Sequence, residues 1–222
     1  MKLKVLFIGR CEYRRALELQ YELLEKRQRG EIEDTLIIVE HPPVITLGNQ
    51  AEKTNIIASQ EFLNKQGIDL VQTNRGGDVT YHGIGQIVGY PIVDIKNSKI
   101  GIRNFVRGLE EIFIQILKDC FNIDSERNCQ HTGVWIGNEK ILAIGLAVKR
   151  GVTMHGFAFN VNTNLEDFKY IVPCGITDKG VTSIEKLTGK AFDIDEMKKL
   201  VVEYFLKVFN FDEVEITEMK LS

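Results

Sequence analysis

"GVWIGNEKILAIGLAVKRGVTMHGFAFNV", residues 133–161, is the stretch whose reading decides the fold class. Three apolar runs rich in β-branched and aromatic residues are parted by turn signals, Asn138 with Glu139 and then Gly151, which is the pattern of a β-meander. Other strand-like runs precede it: Leu3 to Ile8, "TLIIVEH" from Thr35, "VITLG" from Val44, "DLVQT" from Asp69, and "RGGDVTYHGIGQIVGYPIVDI" from Arg75, a glycine-rich entry into a β-branched run. "VITLG" is expected to resume the sheet after the Pro42–Pro43 break. Helical spacing holds in "EYRRALELQYELLEKRQRG", with Ala16, Leu17, Leu19, Leu23 and Leu24, until Gly30 stops it. It holds again in "SQEFLNKQG", where Ser59 is placed to cap. "IRNFVRGLEEIFIQILKDCF" carries an apolar stripe from Ile102 to Leu117, and "FDIDEMKKLVVEYFLKVFNF" is amphipathic, with Asp193 and Glu196 resembling a capping box. Paired strands with interspersed helices predict one α/β (α+β) domain over residues 1–222, built on a mixed sheet.

Composition narrows the class. The chain has 222 residues, 44% apolar and 27% charged, enough to bury one core, and no apolar run is long enough to span a bilayer. "MKLKVLFIGRCEYRR" meets charge too soon for a signal peptide, so a cytoplasmic protein is expected. Cys11, Cys120, Cys129 and Cys174 are irregularly spaced without a CxxC pair, which argues for free thiols and against a zinc ribbon. A net charge of −3 offers no general attraction to nucleic acid.

Three clusters could carry chemistry. "RGGDVTYHGIGQ", Arg75 to Gln86, matches neither GxxxxGK[ST] nor GxGxxG opening a helix, and reads either as a backbone cradle for a ligand or as a turn with a satisfied histidine. Lys140 starts an otherwise apolar strand, where desolvation would suit it to proton transfer, although a strand-end lysine more often reaches into solvent. His155 beside Gly156 is open to the same two readings. Cys174 in "YIVPCGI" is held between proline and glycine, as a nucleophile or as a small apolar filler. Cys129 with His131 lacks a second ligand pair, so no metal is expected, and His41 before two prolines reads as structural.

"RGGDVTYHGIGQIVGYPIVDI", the meander and "VPCGI", with the earlier "EHPPVITLG" and the later "TSIEKLTG", resemble in order and spacing the lipoyl(octanoyl) transferases, which move an octanoyl group from acyl carrier protein to a lipoyl-domain lysine. The resemblance implies the biotin/lipoate protein ligase-like fold, a larger mixed sheet plus a small sheet flanked by helices. It makes Cys174 the acyl-accepting residue and Lys140 the lysine that tunes it. It places the acyl site along Arg75, Gly76, Gly77, Asp78, Val79, Thr80, Tyr81 and His82, along Ala143, Ile144 and Gly145, and along Gly156, Phe157 and Ala158. The family usually has glutamine at Asp78, proline at Ile84 and leucine at Phe157, departures that bear on acyl length.

The implied partners are octanoyl-acyl carrier protein as donor, and as acceptors the lipoyl domains of 2-oxoacid dehydrogenase E2 subunits and the glycine cleavage H protein. Neither a cofactor, nucleic acid nor a membrane is implied, and a monomer is expected. A thioester donor brings its own activation, so aminolysis to an amide needs no ATP. Lys149 and Arg150 are expected to form a docking patch for the acidic carrier. Two other readings are an ATP-dependent lipoate or biotin protein ligase, which would need a nucleotide site and not Cys174, and an acyl-binding module without turnover.

Overall fold

Strand β1 (Lys2–Arg10) alternates its buried residues between the two faces of a large sheet, and the layers on either side follow from that alternation. A computed structural model describes residues 2–172 and 179–221. After β1 come α1 (Tyr13–Gln28), β2 (Asp34–Glu40), β3 (Val44–Leu47), α2 (Gln60–Lys65), β4 (Asp69–Gln72), β5 (Val79–His82) and β6 (Gln86–Ile92). Then follow α3 (Ile102–Phe121), β7 (Glu126–Arg127), β8 (Gly133–Ile136), β9 (Glu139–Lys149), β10 (Val152–Asn160), β11 (Gly180–Val181), α4 (Ile184–Thr188), α5 (Ile194–Phe209) and β12 (Glu213–Glu218).

The large sheet runs in the order β12-β1-β2-β6-β10-β9-β8-β7, with β11 added in parallel to the start of β9. β12, β1 and β2 are mutually parallel and the meander is antiparallel, so the sheet is mixed. Leu3, Val5, Leu36, Ile38, Ile87, Phe157 and Phe159 face α3 and α5, whose stripes meet through the stacked Phe105 and Phe209. Leu6, Ile8, Ile37, Val39, Val88, Met154 and Ala158 face α1. Burial on both faces explains why β2 and β6 read as nearly continuous apolar runs.

"VITLG" does not resume the large sheet. β3 is the centre of a small sheet, β4-β3-β5, parallel to β4 and antiparallel to β5, with its own core of Ile45, Leu63, Val79, Tyr81, Phe168 and Ile171. The chain then crosses from β5 in the small sheet to β6 in the large one through Gly83–Gly85, so the seam between the sheets lies beside the glycine-rich segment. Two caps match expectation: Ser59 Oγ accepts from Phe62 N, and Asp193 Oδ1 accepts from Asp195 N and Glu196 N.

Candidate active site

The seam holds a cavity of about 660 Å³. Alternation along β5 decides which of its residues reach it. Thr80 and His82 line the cavity, while Val79 and Tyr81 point the other way, into the small-sheet core, where the Tyr81 hydroxyl donates to Asp167 at 2.7 Å. Of the run from Arg75 to His82 expected at the acyl site, Val79 and Tyr81 do not line this cavity. Arg75, Gly76, Gly77, Asp78, Ala143, Ile144, Gly145, Gly156, Phe157 and Ala158 all line it, as does Lys140.

Close backbone approach explains the glycines. A Cβ on Gly145 would lie 2.8 Å from Gly76 O, and one on Gly156 only 2.0 Å from Gly89 O. Gly76 N donates to Leu146 O at 2.9 Å, fastening the glycine-rich segment onto β9. Arg75 is buried along the small sheet, donating to Thr46 O at 2.6 Å and to Thr46 Oγ1 at 3.0 and 3.1 Å. It positions the Gly76–Gly77 backbone and adds a positive charge to this wall.

Backbone carbonyls fix the protonation of His82. Asn160 Nδ2 donates to Thr182 O at 3.0 Å, which turns Asn160 Oδ1 toward Gln86. Gln86 Nε2 donates to that oxygen at 2.9 Å and to Tyr81 O at 3.2 Å, leaving Gln86 Oε1 to face His82 Nδ1 at 2.7 Å. An amide oxygen only accepts, so Nδ1 carries the hydrogen and Nε2 presents a lone pair. Burial, with the nearby His41, brings the pKa of His82 down to about 3, so the ring is neutral at ordinary pH.

A second polar chain lies behind it. His41 Nδ1 donates to Cys11 O at 2.6 Å, so its Nε2 accepts from the Tyr90 hydroxyl at 2.8 Å; burial lowers its pKa to about 4. Tyr13 and Tyr90 both line the cavity, and burial holds their hydroxyls protonated, Tyr13 at about 12 and Tyr90 well above its ordinary value. His41 itself is not a lining residue. His155 is, from the middle of β10 at a φ of +55°, a left-handed conformation uncommon for a non-glycine residue and out of place in a strand. Its Nε2 meets Asn74 Oδ1 at 2.7 Å, immediately before Arg75, and burial lowers its pKa to about 3.

Lys140 is only 9% exposed and its Nζ lies 4.8 Å from the centre of the Trp135 ring. Its own carbonyl accepts from Thr182 N at 3.0 Å, and Val181 of β11 pairs with it. Cys174 lies outside the described residues. The described chain on either side is anchored by backbone bonds: Val172 N donates to Asn55 O at 2.8 Å, and Gly180 N to Asn138 O at 3.0 Å.

Residues 12–206 match the model of the lipoyl protein ligase A/B catalytic domain. An octanoyltransferase of Alkaliphilus metalliredigens is 60% identical over 98% of this chain and 100% of its own length. The chain belongs to the octanoyltransferase family. A second octanoyltransferase, from Desulforamulus reducens, is 50% identical over 100% of this chain and 97% of its own. A crystal structure of lipoate-protein ligase A bound with ATP shares the fold, with a TM-score of 0.81 at 17% identity, over 100% of this chain and 90% of that one.

The three residues expected from the sequence to depart from the family pattern occupy different settings. Asp78 accepts from Asn55 Nδ2 at 2.5 Å and from Glu52 N at 3.2 Å, so its carboxylate ties the rim of the cavity to the turn at residues 52–55. Ile84 is 40% exposed and does not line the cavity. Phe157 lies on Gly89 and edge-on to Phe113, with ring centroids 5.0 Å apart, and lines the cavity from the α3 side. Of the further lining residues, Tyr13, Val88, Tyr90, Ile102 and Val106 read in the sequence as ordinary helix and strand positions. Gln86 and Asn160 carry a signal of their own: each is a polar residue at the end of a largely apolar strand.

Proposed function

We propose that this protein transfers an octanoyl group from octanoyl-acyl carrier protein to a lysine of lipoyl domains, those of 2-oxoacid dehydrogenase E2 subunits and of the glycine cleavage H protein, through a thioester on Cys174. The observation that carries the mechanism is the buried Lys140 on the cavity wall, hydrogen-bonded through its backbone to the strand that follows the Cys174 segment. A cation beside a thiol favours the thiolate. The Cys174 thiolate attacks the octanoyl thioester carbonyl, the carrier's sulfur departs, and Lys140 gives that sulfur a proton. In the second half the acceptor amine attacks the acyl-cysteine, Lys140 takes the proton the amine loses, and the Cys174 thiolate is released as the amide forms. Thioester and amine become amide and thiol, so the balance closes without ATP.

Ile144, Leu146, Val148, Phe157, Ala158 and Val88 give the cavity apolar walls for the acyl chain, each buried methylene contributing about 0.8 kcal/mol. His82, which also lines the cavity, supplies the lone pair on its Nε2 as a hydrogen-bond acceptor. Cys11, Cys120 and Cys129 are free thiols, which supports a cytoplasmic setting. The test is incubation with octanoyl-acyl carrier protein without ATP, followed by intact mass and peptide mapping. An octanoyl adduct on Cys174 that passes to a lipoyl domain is expected. No adduct, with lipoyl-domain modification only when ATP and free octanoate are supplied, would replace the transferase reading with a ligase.

A further inference from the structure

On its α3 side the mouth of the cavity has a one-sided charge that the acyl chemistry does not use. Between Lys96 and Arg107 the chain carries Lys96, Lys99, Arg103 and Arg107 and no acidic residue, in a protein of net charge −3. All four are exposed, and among the described residues none has an ion-pair partner. Elsewhere Arg10, Arg27 and Arg127 are paired with Glu40, Asp34 and the adjacent Glu110 and Glu111.

Geometry places Lys96, Arg103 and Arg107 beside the opening, and Lys99 lies in the segment that leads into α3. Ile102 and Val106, one turn apart on α3, line the cavity, and Arg103 and Arg107 form the next stripe of the same helix. Lys96 packs against the β9–β10 turn, where a Cβ on Gly151 would lie 2.7 Å from its Cβ, and Val148 just before that turn completes the opening. Ile102 is 45% and Val148 41% exposed, so the rim has an apolar centre inside a basic border. The first turn of α3 has neither an acidic residue nor a side-chain cap, and its unbonded amides add to the positive potential. Lys149, expected from the sequence to belong to a docking patch, points to the opposite face of β9, its Nζ 4.7 Å from the centre of the Tyr21 ring; Arg150 is exposed at the turn.

We propose that the acidic carrier protein of the acyl donor docks on this rim, centred on the start of α3 and not on Lys149, with its acyl arm entering between Ile102, Val106 and Val148. The proposal rests on the transferase reading. It commits to the donor because the apolar opening admits an alkyl chain end-first, which leaves the carrier seated on the surrounding cations. Acidic partners steered by such a field bind with rates that fall as salt rises.

The experiment measures the second-order rate of Cys174 acylation, without acceptor, from octanoyl-acyl carrier protein and from octanoyl-pantetheine. The variants are Lys99→Glu/Arg103→Glu/Arg107→Glu and the corresponding triple glutamine change. The charge-reversed protein should lose about tenfold or more with the carrier at low salt, the neutralised one less, and both should stay within about twofold of wild type with the small thioester. Equal losses with both donors, or no loss with the carrier, would overturn the docking surface while leaving the transferase reading intact. Unchanged carrier acylation with slowed transfer from acyl-enzyme to a lipoyl domain would assign the rim to the acceptor and also overturn it. No adduct on wild-type Cys174 from either donor would remove the transferase reading itself.

Discussion

Three buried neutral histidines make the protein's stability depend on mild acid. His82 and His155 have folded pKa values of about 3 and His41 of about 4, chiefly because burial disfavours their charged forms. An unfolded histidine titrates near 6.5, so the unfolded chain takes up protons first as pH falls, and stability present above pH 6.5 is lost on the way down toward the folded values. At pH 5 each unfolded histidine gains about 2 kcal/mol from protonation and the folded ones almost none, about 6 kcal/mol for the three. That is comparable with the whole stability of a typical domain, about 5–15 kcal/mol. The carboxylates held below their ordinary pKa, among them Glu31, Glu111, Asp195 and Glu215, release their contribution only in stronger acid. Urea denaturation at pH 8, 7, 6 and 5 should show the loss at unchanged m-value, and His155→Gln should shrink it by about a third. Unfolding free energies equal within about 1 kcal/mol at pH 8 and 5 would refute the argument.

At the reaction centre, Lys140→Ala should slow octanoyl adduct formation by about 10²–10⁴-fold, read by quenched-flow mass spectrometry, and wild-type rates would remove its assigned role. Gly156→Ala would set a Cβ 2.0 Å from Gly89 O and 2.7 Å from Pro91 Cδ, forcing β10 away from β6; a loss of about 2–3 kcal/mol or more in urea denaturation is expected. Gly108→Ala meets only the edge of the Phe209 ring and should cost less in the same measurement. Phe157→Leu leaves space beside Gly89 and Phe113, and competition between octanoyl and decanoyl donors should shift toward the longer chain.

The elements with strong periodicity were legible in the sequence. α1, α3 and α5 each carry an apolar stripe, and the meander's turns fall at glycine and asparagine positions. What a short apolar run pairs with was not legible, because four residues of "VITL" fit either sheet equally, and β3 went to the small one. β12 was missed: "EVEITE" leaves Val214 and Ile216 exposed, and the strand is held by parallel pairing with β1 and by Lys2 and Lys4 on Glu215. At the site, the motif does not say which of its residues face the cavity, since Val79 and Tyr81 differ from Thr80 and His82 only in strand parity. The tautomer of His82 depends, beyond Gln86, on Asn160 and the Thr182 carbonyl, which lie far from it in the chain and outside any local window.

The chain of bonds from His82 through Gln86 and Asn160 to Thr182 O has a bearing on how relatives can diverge. Each side chain in it fixes the polarity of the next, and the last is fixed by a main-chain carbonyl that substitution cannot remove. A replacement at Gln86 or Asn160 alone leaves buried donors and acceptors without partners, while a simultaneous change of several members escapes that penalty. Drift at these positions should therefore be correlated: lineages should keep His82, Gln86 and Asn160 as a set or exchange them as a set, making the trio one heritable unit spread over 79 positions of chain, from 82 to 160 inclusive.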